Sequence, residues 1–264
     1  MATRIDATAS VDPRAELGHG VEIGPYCVVG PDVSLGEATR LVGHVSIRGH
    51  VSAGEHNIFG RFSAIGCEPQ DTSYRGQPTR VEMGDFNEVR ENVTISRGTE
   101  KEEGVTRIGH HNVLAHGSHV AHDCHLGDGV LLGAKVLLAG HVRLESYATM
   151  ADGSVALQFV TIGGYSLALP LAKVGRDLPP FMIARGNPAE ICGLNAGALR
   201  THNIDPAEVS ALRLAHRLIY RDHADPAKAE DALMAVGRLT PAVARLLAFL
   251  KLQREGKLGR ARGH

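Results

Sequence analysis

The sequence predicts a mainly β protein, with a parallel β-helix over residues 1–190 followed by a small C-terminal α-helical domain over residues 191–264. Three observations predict this fold. Aliphatic residues recur every six positions, glycine often follows them, and the repeat stops shortly after Val174. A six-residue unit with one inward aliphatic side chain and one small corner residue is typical of a parallel β-helix of triangular section.

The aliphatic positions form two series along the chain. The first runs from Ile5 to Ile95, and the second, displaced by one residue, runs from Ile108 to Val174. Each six-residue unit supplies one short strand and one corner, so three units close a coil and residues about 18 apart stack on one face. Because each coil covers its apolar side chains only with its neighbours, the fold needs many coils.

Two stretches interrupt the repeat and are predicted to be loops, near residues 66–82 and 96–107. The first is polar and rich in turn residues, and the series resumes after it at Met83 without a change of register. The second shifts the register by one residue. Long loops on a rigid scaffold commonly carry function, so both are candidate functional segments.

Three helix starts follow the repeat. In each, a residue that favours the N-cap precedes a proline: Asp205 with Pro206, Asp225 with Pro226, and Thr240 with Pro241. Proline suits the first helical position because its missing N–H is not needed there. Apolar residues at helical spacing follow each start, which predicts the small helical domain.

Composition limits the classes of function. The net charge is -1 at pH 7, so bulk charge implies no nucleic-acid partner. The four cysteines lack a paired motif, which favours free thiols in a reducing compartment. Since the sequence shows neither an N-terminal apolar segment before a cleavage site nor an apolar run of membrane-spanning length, we expect a cytoplasmic protein without a transmembrane segment.

Histidines are concentrated between residues 110 and 141, and His122 is the candidate catalytic base. A histidine poised near neutral pH can take the proton of a hydroxyl that attacks an acyl carbonyl. Asp123 is the candidate partner that orients its second ring nitrogen. His141 follows 19 residues later, about one coil away, and should lie beside His122. The backbone N–H of Gly140 is a candidate donor to the oxyanion.

Two other interpretations of these histidines remain open. Three histidines from adjacent subunits could bind Zn²⁺ with one open position, as in the hexapeptide-repeat carbonic anhydrases, which would make the protein a hydratase. The histidines could also occupy permissive outward positions of a catalytically inactive scaffold.

Beyond the repeat, the chain resembles the UDP-N-acetylglucosamine O-acyltransferases that begin lipid A biosynthesis. The resemblance extends over nearly the whole chain, and the Gln70–Asp71 loop, the 119–124 stretch and the helical tail together make it specific. The segments that carry it are 23–30, 69–71, 76–79, 90–94, 97–99, 119–124, 138–142, 158–159, 185–188 and 217–221.

The resemblance implies a left-handed β-helix and an acyltransferase that moves an (R)-3-hydroxyacyl chain from acyl carrier protein (ACP) to the glucosamine 3-hydroxyl of the UDP-sugar. It implies a homotrimer with sites between subunits, acyl-ACP as co-substrate, and no metal or other cofactor. His122 would be the general base, Asp123 its orienting partner and Gly140 the oxyanion donor. The implied substrate-binding residues are Gln70, Asp71, His119, His141, Gln158, Asn195 and Arg200. Arg200 is included because it is the basic residue nearest to the position of the family's phosphate-binding arginine, although its register differs from the family pattern.

The sequence departs from the family pattern at three positions that concern the acceptor. Leu157 stands where a histidine is common, Ser73 where a lysine is common, and Gly197 where an acidic residue is common. A related acceptor, such as a 3-amino UDP-sugar, therefore remains an alternative to UDP-N-acetylglucosamine.

Acyl length and carrier docking give two further expectations. Long-chain members of the family carry two glycines where this chain has Leu169 and Pro170, which are expected to stop the acyl chain. Basic residues of the helical domain are either a solvated face or a docking surface for acidic ACP. These residues are Arg213, Arg217, Arg221, Lys251, Arg254, Lys257, Arg260 and Arg262.

Overall fold

The computed structural model describes residues 2–259, in which the repeat folds as a left-handed parallel β-helix and four α-helices follow it. In the first half of the chain the strands are β1 (Arg4–Ile5), β2 (Ser10–Val11), β3 (Glu16–Leu17), β4 (Glu22–Ile23), β5 (Val28–Val29), β6 (Val33–Leu35), β7 (Arg40–Leu41), β8 (Ser46–Ile47), β9 (His50–Ala53), β10 (Ile58–Phe59), β11 (Ala64–Cys67), β12 (Arg80–Met83), β13 (Glu88–Val89) and β14 (Thr94–Ser96). In the second half they are β15 (Val105–Ile108), β16 (Val113–Leu114), β17 (His119–Val120), β18 (His125–Leu126), β19 (Leu131–Leu132), β20 (Leu137–Leu138), β21 (Arg143–Leu144), β22 (Thr149–Met150), β23 (Val155–Ala156), β24 (Thr161–Ile162), β25 (Leu167–Ala168), β26 (Lys173–Val174), β27 (Met182–Arg185) and β28 (Glu190–Leu194).

Successive strands belong to three different sheets, which form the three faces of the prism. Each strand from β1 to β23 pairs in parallel with the third strand after it, so Ile5 lies beside Ile23 and Leu132 beside Met150. Most strands end on the aliphatic residue that the six-residue period predicts, and this prediction is confirmed. The residue two positions before the aliphatic one is often buried in the prism as well, as Val136 is before Leu138.

The core of the β-helix is a continuous column of these inward side chains. Leu132, Leu138 and Ile162 have no exposed surface, whereas Ile5 at the first strand is 49 % exposed. The difference follows from the stacking, because β1 has a neighbouring strand on one side only.

Both predicted loops leave the prism without breaking it. The first covers residues 68–79, between β11 and β12, and β10 still pairs with β13 across it, joining Phe59 to Val89. The second covers residues 97–104, between β14 and β15, and Val89 pairs with Leu114 across it. That second pairing is 25 residues apart instead of a multiple of six, which accounts for the shift of the aliphatic series by one.

An antiparallel hairpin ends the β part of the chain. β27 pairs in parallel with β25 and antiparallel with β28, so the largest sheet continues through Leu194. The predicted division between residues 190 and 191 falls inside β28, and the assignment of two domains remains a prediction.

The helical part consists of α1 (Ala196–Thr201), α2 (Pro206–His216), a π-helical turn (Arg217–Arg221), α3 (Pro226–Ala235) and α4 (Pro241–Arg254). All three predicted starts are confirmed. Asp205 and Asp225 cap α2 and α3 by accepting bonds from backbone N–H groups. Thr240 is the N-cap residue of α4 as predicted, but its hydroxyl donates to Glu208 Oε2, and that carboxylate accepts the Ala242 N–H in place of the Thr240 side chain.

The helices bury an apolar face that joins the core of the β-helix. Leu212, Leu246 and Leu250 are buried in the same cluster as the last coils. Within residues 2–259, none of these helices is both long and apolar enough to cross a bilayer. Arg260 and Arg262, two of the predicted basic residues, lie outside the described residues.

Candidate active site

The candidate base lies at a corner of the prism. His122 and Asp123 follow β17 and precede β18, and their side chains are buried, with 4 % and 1 % of their surface exposed. Asp123 has φ of +59°, a conformation that a corner requires and that Asp tolerates better than most side chains. Its backbone N–H donates to Thr106 Oγ1 at 2.9 Å, which helps to hold the corner.

His122 and Asp123 form a hydrogen-bonded pair, with Nδ1 of the histidine 2.9 Å from Oδ2 of the aspartate. The carboxylate also accepts the Thr99 N–H at 2.8 Å and the Thr99 hydroxyl at 2.6 Å. Burial raises the pKa of Asp123, but the bonds from His122 and Thr99 lower it further, so the net shift is downward. An ionised Asp123 accepts the Nδ1 proton and thereby leaves Nε2 of His122 able to accept another.

Gly140 packs directly under the His122 ring. A Cβ at this position would lie 2.4 Å from Cε1 of His122 and 2.7 Å from Nε2, so only glycine fits beside the ring. The Gly140 carbonyl accepts the Phe159 N–H at 3.1 Å. The N–H of Gly140 donates no hydrogen bond to any described residue, which leaves a backbone donor beside the candidate base.

His141 is brought against His122, as the 19-residue spacing predicts. The two rings are perpendicular with centroids 5.0 Å apart, and His141 stacks on Phe159 at 4.3 Å. Its Nε2 lies 3.8 Å from Asp123 Oδ2, and its Nδ1 lies 3.4 Å from Glu102 Oε1. Burial lowers the pKa of His141, so its neutral form is favoured in spite of the two carboxylates.

His119 lies on β17, and its side chain is half-buried. Its Nδ1 is 2.7 Å from Thr94 Oγ1 on the adjacent strand β14. Burial lowers the pKa of His119, and the nearby His122 lowers it further. A neutral ring in this position can donate or accept a hydrogen bond with a bound substrate.

In the first loop, Asp71 is an anchored carboxylate and its neighbour Gln70 is exposed. Lys101 Nζ lies 2.6 Å from Asp71 Oδ2, and the Ser73 N–H and hydroxyl donate to Oδ1. The bonds from Lys101 and Ser73 hold the pKa of Asp71 well below its usual range. Ser73, which departs from the family pattern, therefore has a defined partner here, and Lys101 supplies the positive charge from the second loop.

The remaining predicted substrate residues are Gln158, Asn195 and Arg200, and they lie outside the group of contacting side chains formed by His122, Asp123 and His141. Gln158 is exposed at the corner one coil after Gly140, and Arg200 is exposed on α1. The Asn195 amide donates to the Tyr165 carbonyl at 2.9 Å and accepts the Ala198 N–H at 3.2 Å, so its side chain caps α1. A substrate contact by Asn195 or Arg200 stays a prediction.

Residues of the second loop complete the cluster, and the sequence did not single them out as site residues. Thr99 contacts Asp123, Lys101 contacts Asp71, and Glu102 contacts His141. Their only sequence signal is the position of the loop in an otherwise regular repeat, together with the resemblance at residues 97–99.

The zinc interpretation requires three histidines as ligands. Within the described residues of one chain, the candidate ligand group contains two histidines and one aspartate. In residues 2–259, potential ligand atoms come together only in His122, Asp123 and His141, all within 4.8 Å of one another. In this group His122 Nδ1 and Asp123 Oδ2 are already hydrogen-bonded to each other. A metal between them would have to displace that bond, so the arrangement fits an oriented base better than a ligand set.

Comparison with known proteins gives one consistent result. A family model described as UDP N-acetylglucosamine O-acyltransferase, domain 2, matches residues 177–259. Two relatives named acyl-[acyl-carrier-protein]–UDP-N-acetylglucosamine O-acyltransferase are each 40 % identical: one from Alkalilimnicola ehrlichii, covering 97 % of this chain and 99 % of the relative, and one from Burkholderia lata, covering 96 % and 98 %.

Solved structures agree with these relatives. A UDP-N-acetylglucosamine acyltransferase from Bacteroides fragilis superposes with a TM-score of 0.90 at 30 % identity, covering 94 % of this chain and 96 % of that chain. A UDP-N-acetylglucosamine O-acyltransferase from Moraxella catarrhalis gives a TM-score of 0.87 at 35 % identity, with 92 % and 95 % covered.

Proposed function

Because the chain belongs to the UDP-N-acetylglucosamine O-acyltransferase family, we propose that His122 is the general base of its acyl transfer. The chain is an acyltransferase of lipid A biosynthesis. Its substrates are a UDP-N-acetylglucosamine-type acceptor and an (R)-3-hydroxyacyl chain carried by ACP. The observation that carries the proposed mechanism is the buried His122–Asp123 hydrogen bond beside the N–H of Gly140, which has no hydrogen-bond partner within residues 2–259.

The proposed reaction moves one proton through His122. Nε2 accepts the proton of the sugar 3-hydroxyl as its oxygen attacks the thioester carbonyl, and Asp123 stabilises the resulting imidazolium. The tetrahedral oxyanion accepts a hydrogen bond from the Gly140 N–H. When the intermediate collapses, the C–S bond breaks and the carrier thiolate takes the proton back from His122, so the base is regenerated. This scheme uses acyl-ACP as co-substrate and no metal or other cofactor.

The proposal includes a homotrimer with sites between subunits, working in the cytoplasm. Apolar side chains exposed beside the site support a covered outer face. Leu137 is 46 % exposed and pairs in register with His119, and Leu131 on a neighbouring face is 41 % exposed. A second subunit that covers both faces would bury these leucines and supply the other wall of the site.

An acyl-transfer assay with two acceptors tests the proposed function. UDP-N-acetylglucosamine and its 3-amino analogue are each offered with the same (R)-3-hydroxyacyl-ACP, and initial rates are compared. A higher kcat/KM with the 3-hydroxyl sugar is expected, because the relatives that match nearly the whole chain are named for O-acyl transfer to UDP-N-acetylglucosamine. A higher kcat/KM for the 3-amino sugar would assign the alternative acceptor, and no turnover with either would refute the proposal.

Carrier docking gives a prediction at the helical part. Arg217 and Arg221 are exposed on the π-helical turn and form no ion pair with any described residue. If acidic ACP docks there, Arg217→Glu should raise the KM for acyl-ACP about tenfold, with a smaller change in the KM for the sugar nucleotide. In the same assay, raising the ionic strength should raise the KM of the wild-type protein for acyl-ACP, because salt screens the attraction between the basic surface and the acidic carrier.

Arg14→Glu is the control for this charge reversal, because Arg14 is also exposed, with a surface ion pair to Asp12, and lies in the first coil, far along the chain from the helices. It should leave the KM for acyl-ACP within about twofold of the wild-type value. If Arg217→Glu behaves like Arg14→Glu, the helical basic residues are a solvated face and ACP docks elsewhere.

Acyl length gives a second prediction at the last coils. Leu169 is half-buried and Pro170 exposed in the corner after β25, so neither side chain fills the prism interior, where Ala168 points. If they face the acyl groove, they block its far end and favour roughly ten to twelve carbons over fourteen, since overpacking costs about 1–3 kcal/mol. Leu169→Gly should shift the optimum to longer chains, and more so when combined with Pro170→Gly.

Competition between acyl-ACPs of graded length measures this preference. Leu171→Gly is the matched control, because Leu171 is a leucine at the same corner with 77 % of its surface exposed. It should leave the length preference unchanged. A wild-type preference for fourteen carbons or longer would refute the stop.

A further inference from the structure

The second loop, residues 97–104, contacts the candidate site through three of its residues. We call it the strap. It leaves the prism after β14 and returns at β15. Between those points its residues Thr99, Lys101 and Glu102 reach three different candidate site residues.

Thr99 holds the carboxylate of Asp123 with both of its donors. Its backbone N–H donates to Oδ1 at 2.8 Å and its hydroxyl to Oδ2 at 2.6 Å, and only 3 % of the residue is exposed. Oδ2 is also the oxygen that accepts the His122 Nδ1 proton. The two bonds fix the carboxylate plane, and so they fix the direction in which His122 is held.

Glu102 places a carboxylate beside His141 at ion-pair distance, a longer contact than the 2.9 Å hydrogen bond between Asp123 and His122. Its Oε1 lies 3.4 Å from His141 Nδ1, and its Oε2 lies 3.8 Å from a guanidinium nitrogen of Arg143. The Glu102 side chain is 20 % exposed and the His141 side chain 4 %. Each of the two perpendicular histidines therefore has its own carboxylate, and both carboxylates depend on the strap.

The strap is itself fixed at its base. Arg97 donates to the Gly66 carbonyl at 2.7 Å and to the Tyr74 hydroxyl at 2.8 Å, and Lys101 pairs with Asp71. These contacts tie it to the first loop. Its conformation is therefore set before a substrate arrives, which is the condition for holding another side chain in place.

We propose that Thr99 and Glu102 are positioning residues of this enzyme: Thr99 acts on His122 through Asp123, and Glu102 acts on His141. The inference rests on the proposed function of His122 as base and His141 as a substrate contact. It predicts opposite kinetic signatures, because one histidine is used in the chemical step and the other in binding.

Thr99→Val tests the first contact, since it keeps the shape and the backbone N–H and removes only the hydroxyl. A fall of about tenfold in kcat is expected, with both KM values within about twofold, because a hydrogen bond to a buried charge is lost while the binding groups remain. Thr99→Ser restores the hydroxyl and should bring kcat back to within about threefold. Should the valine variant fail to fold, Thr99→Ala gives the same comparison.

Glu102→Gln tests the second contact. It should raise the KM for the sugar nucleotide about fivefold and leave kcat within about twofold, because a charge-assisted contact to His141 is weakened. Glu103→Gln is the matched control: Glu103 is the next residue of the strap, pairs with Arg107 and touches none of the candidate site residues. It should leave both constants within about twofold of wild type.

The wild-type rate separates the two levels of the proposal. If the wild-type protein catalyses no acyl transfer, the proposed function itself is refuted. An active wild type with Thr99→Val at full kcat, or with serine no better than valine, would overturn the role of Thr99. A Glu102→Gln variant whose KM matches that of Glu103→Gln would overturn the role of Glu102.

Discussion

Replacing His122 with alanine is expected to lower the rate of acyl transfer by at least about a hundredfold, with the protein still folded. The reason is the loss of the only group that can take the proton of the attacking hydroxyl in the proposed scheme. His122 is buried, but its ring packs against Gly140 and His141 at a corner, outside the column of inward aliphatic side chains. We therefore expect its removal to lower the catalytic rate strongly and to change the free energy of unfolding much less.

The measurement is a single-turnover rate with acyl-ACP and UDP-N-acetylglucosamine, accompanied by a thermal unfolding curve. His116→Ala is the matched control, because His116 is an exposed histidine at the corner between β16 and β17 and forms none of the contacts described for the site. The control should keep the wild-type rate. If the His122→Ala variant stays within about threefold of wild type, another group is the base.

The repeat itself was predictable because each strand is specified locally. A buried aliphatic residue and a corner residue recur at a fixed distance, so the same residue pattern that specifies one coil also specifies the next. The same regularity predicted that His141 would lie beside His122, and their ring centroids are 5.0 Å apart. The adjacency of His122 and Asp123 in sequence made their hydrogen bond an easy prediction as well.

The parts that could not be predicted are contacts made by segments without a period. Thr99 and Asp123 are 24 residues apart, and their meeting depends on the path of a loop that no six-residue rule describes. The cap that Glu208 provides for α4 is 34 residues from Ala242. Thr240 is a sensible N-cap by residue type, but residue type cannot tell that a carboxylate from another helix will reach the same N–H groups.

The expected behaviour of Asp123→Asn follows from the same unpredicted contact with Thr99. The carboxylate accepts three hydrogen bonds and donates none: the Thr99 N–H reaches Oδ1, while the Thr99 hydroxyl and His122 Nδ1 reach Oδ2. An amide has one acceptor oxygen and one donor nitrogen, so it cannot reproduce this arrangement. Asp152→Asn is the control, because Asp152 accepts a single backbone N–H, from Ala134 at 2.8 Å, and the asparagine oxygen can replace it.

The two orientations of the asparagine differ in what they disturb. An amide nitrogen in place of Oδ1 would face the Thr99 N–H, a donor that cannot rotate, so this orientation is disfavoured. An amide nitrogen in place of Oδ2 faces His122 Nδ1, which must then accept and carry its proton on Nε2 instead. That tautomer cannot take the proton of the sugar hydroxyl, and we expect a loss of about a hundredfold to a thousandfold in kcat while binding is retained. A rate within about tenfold of wild type, with Asp152→Asn unchanged, would show that Asp123 does not set the tautomer of the base.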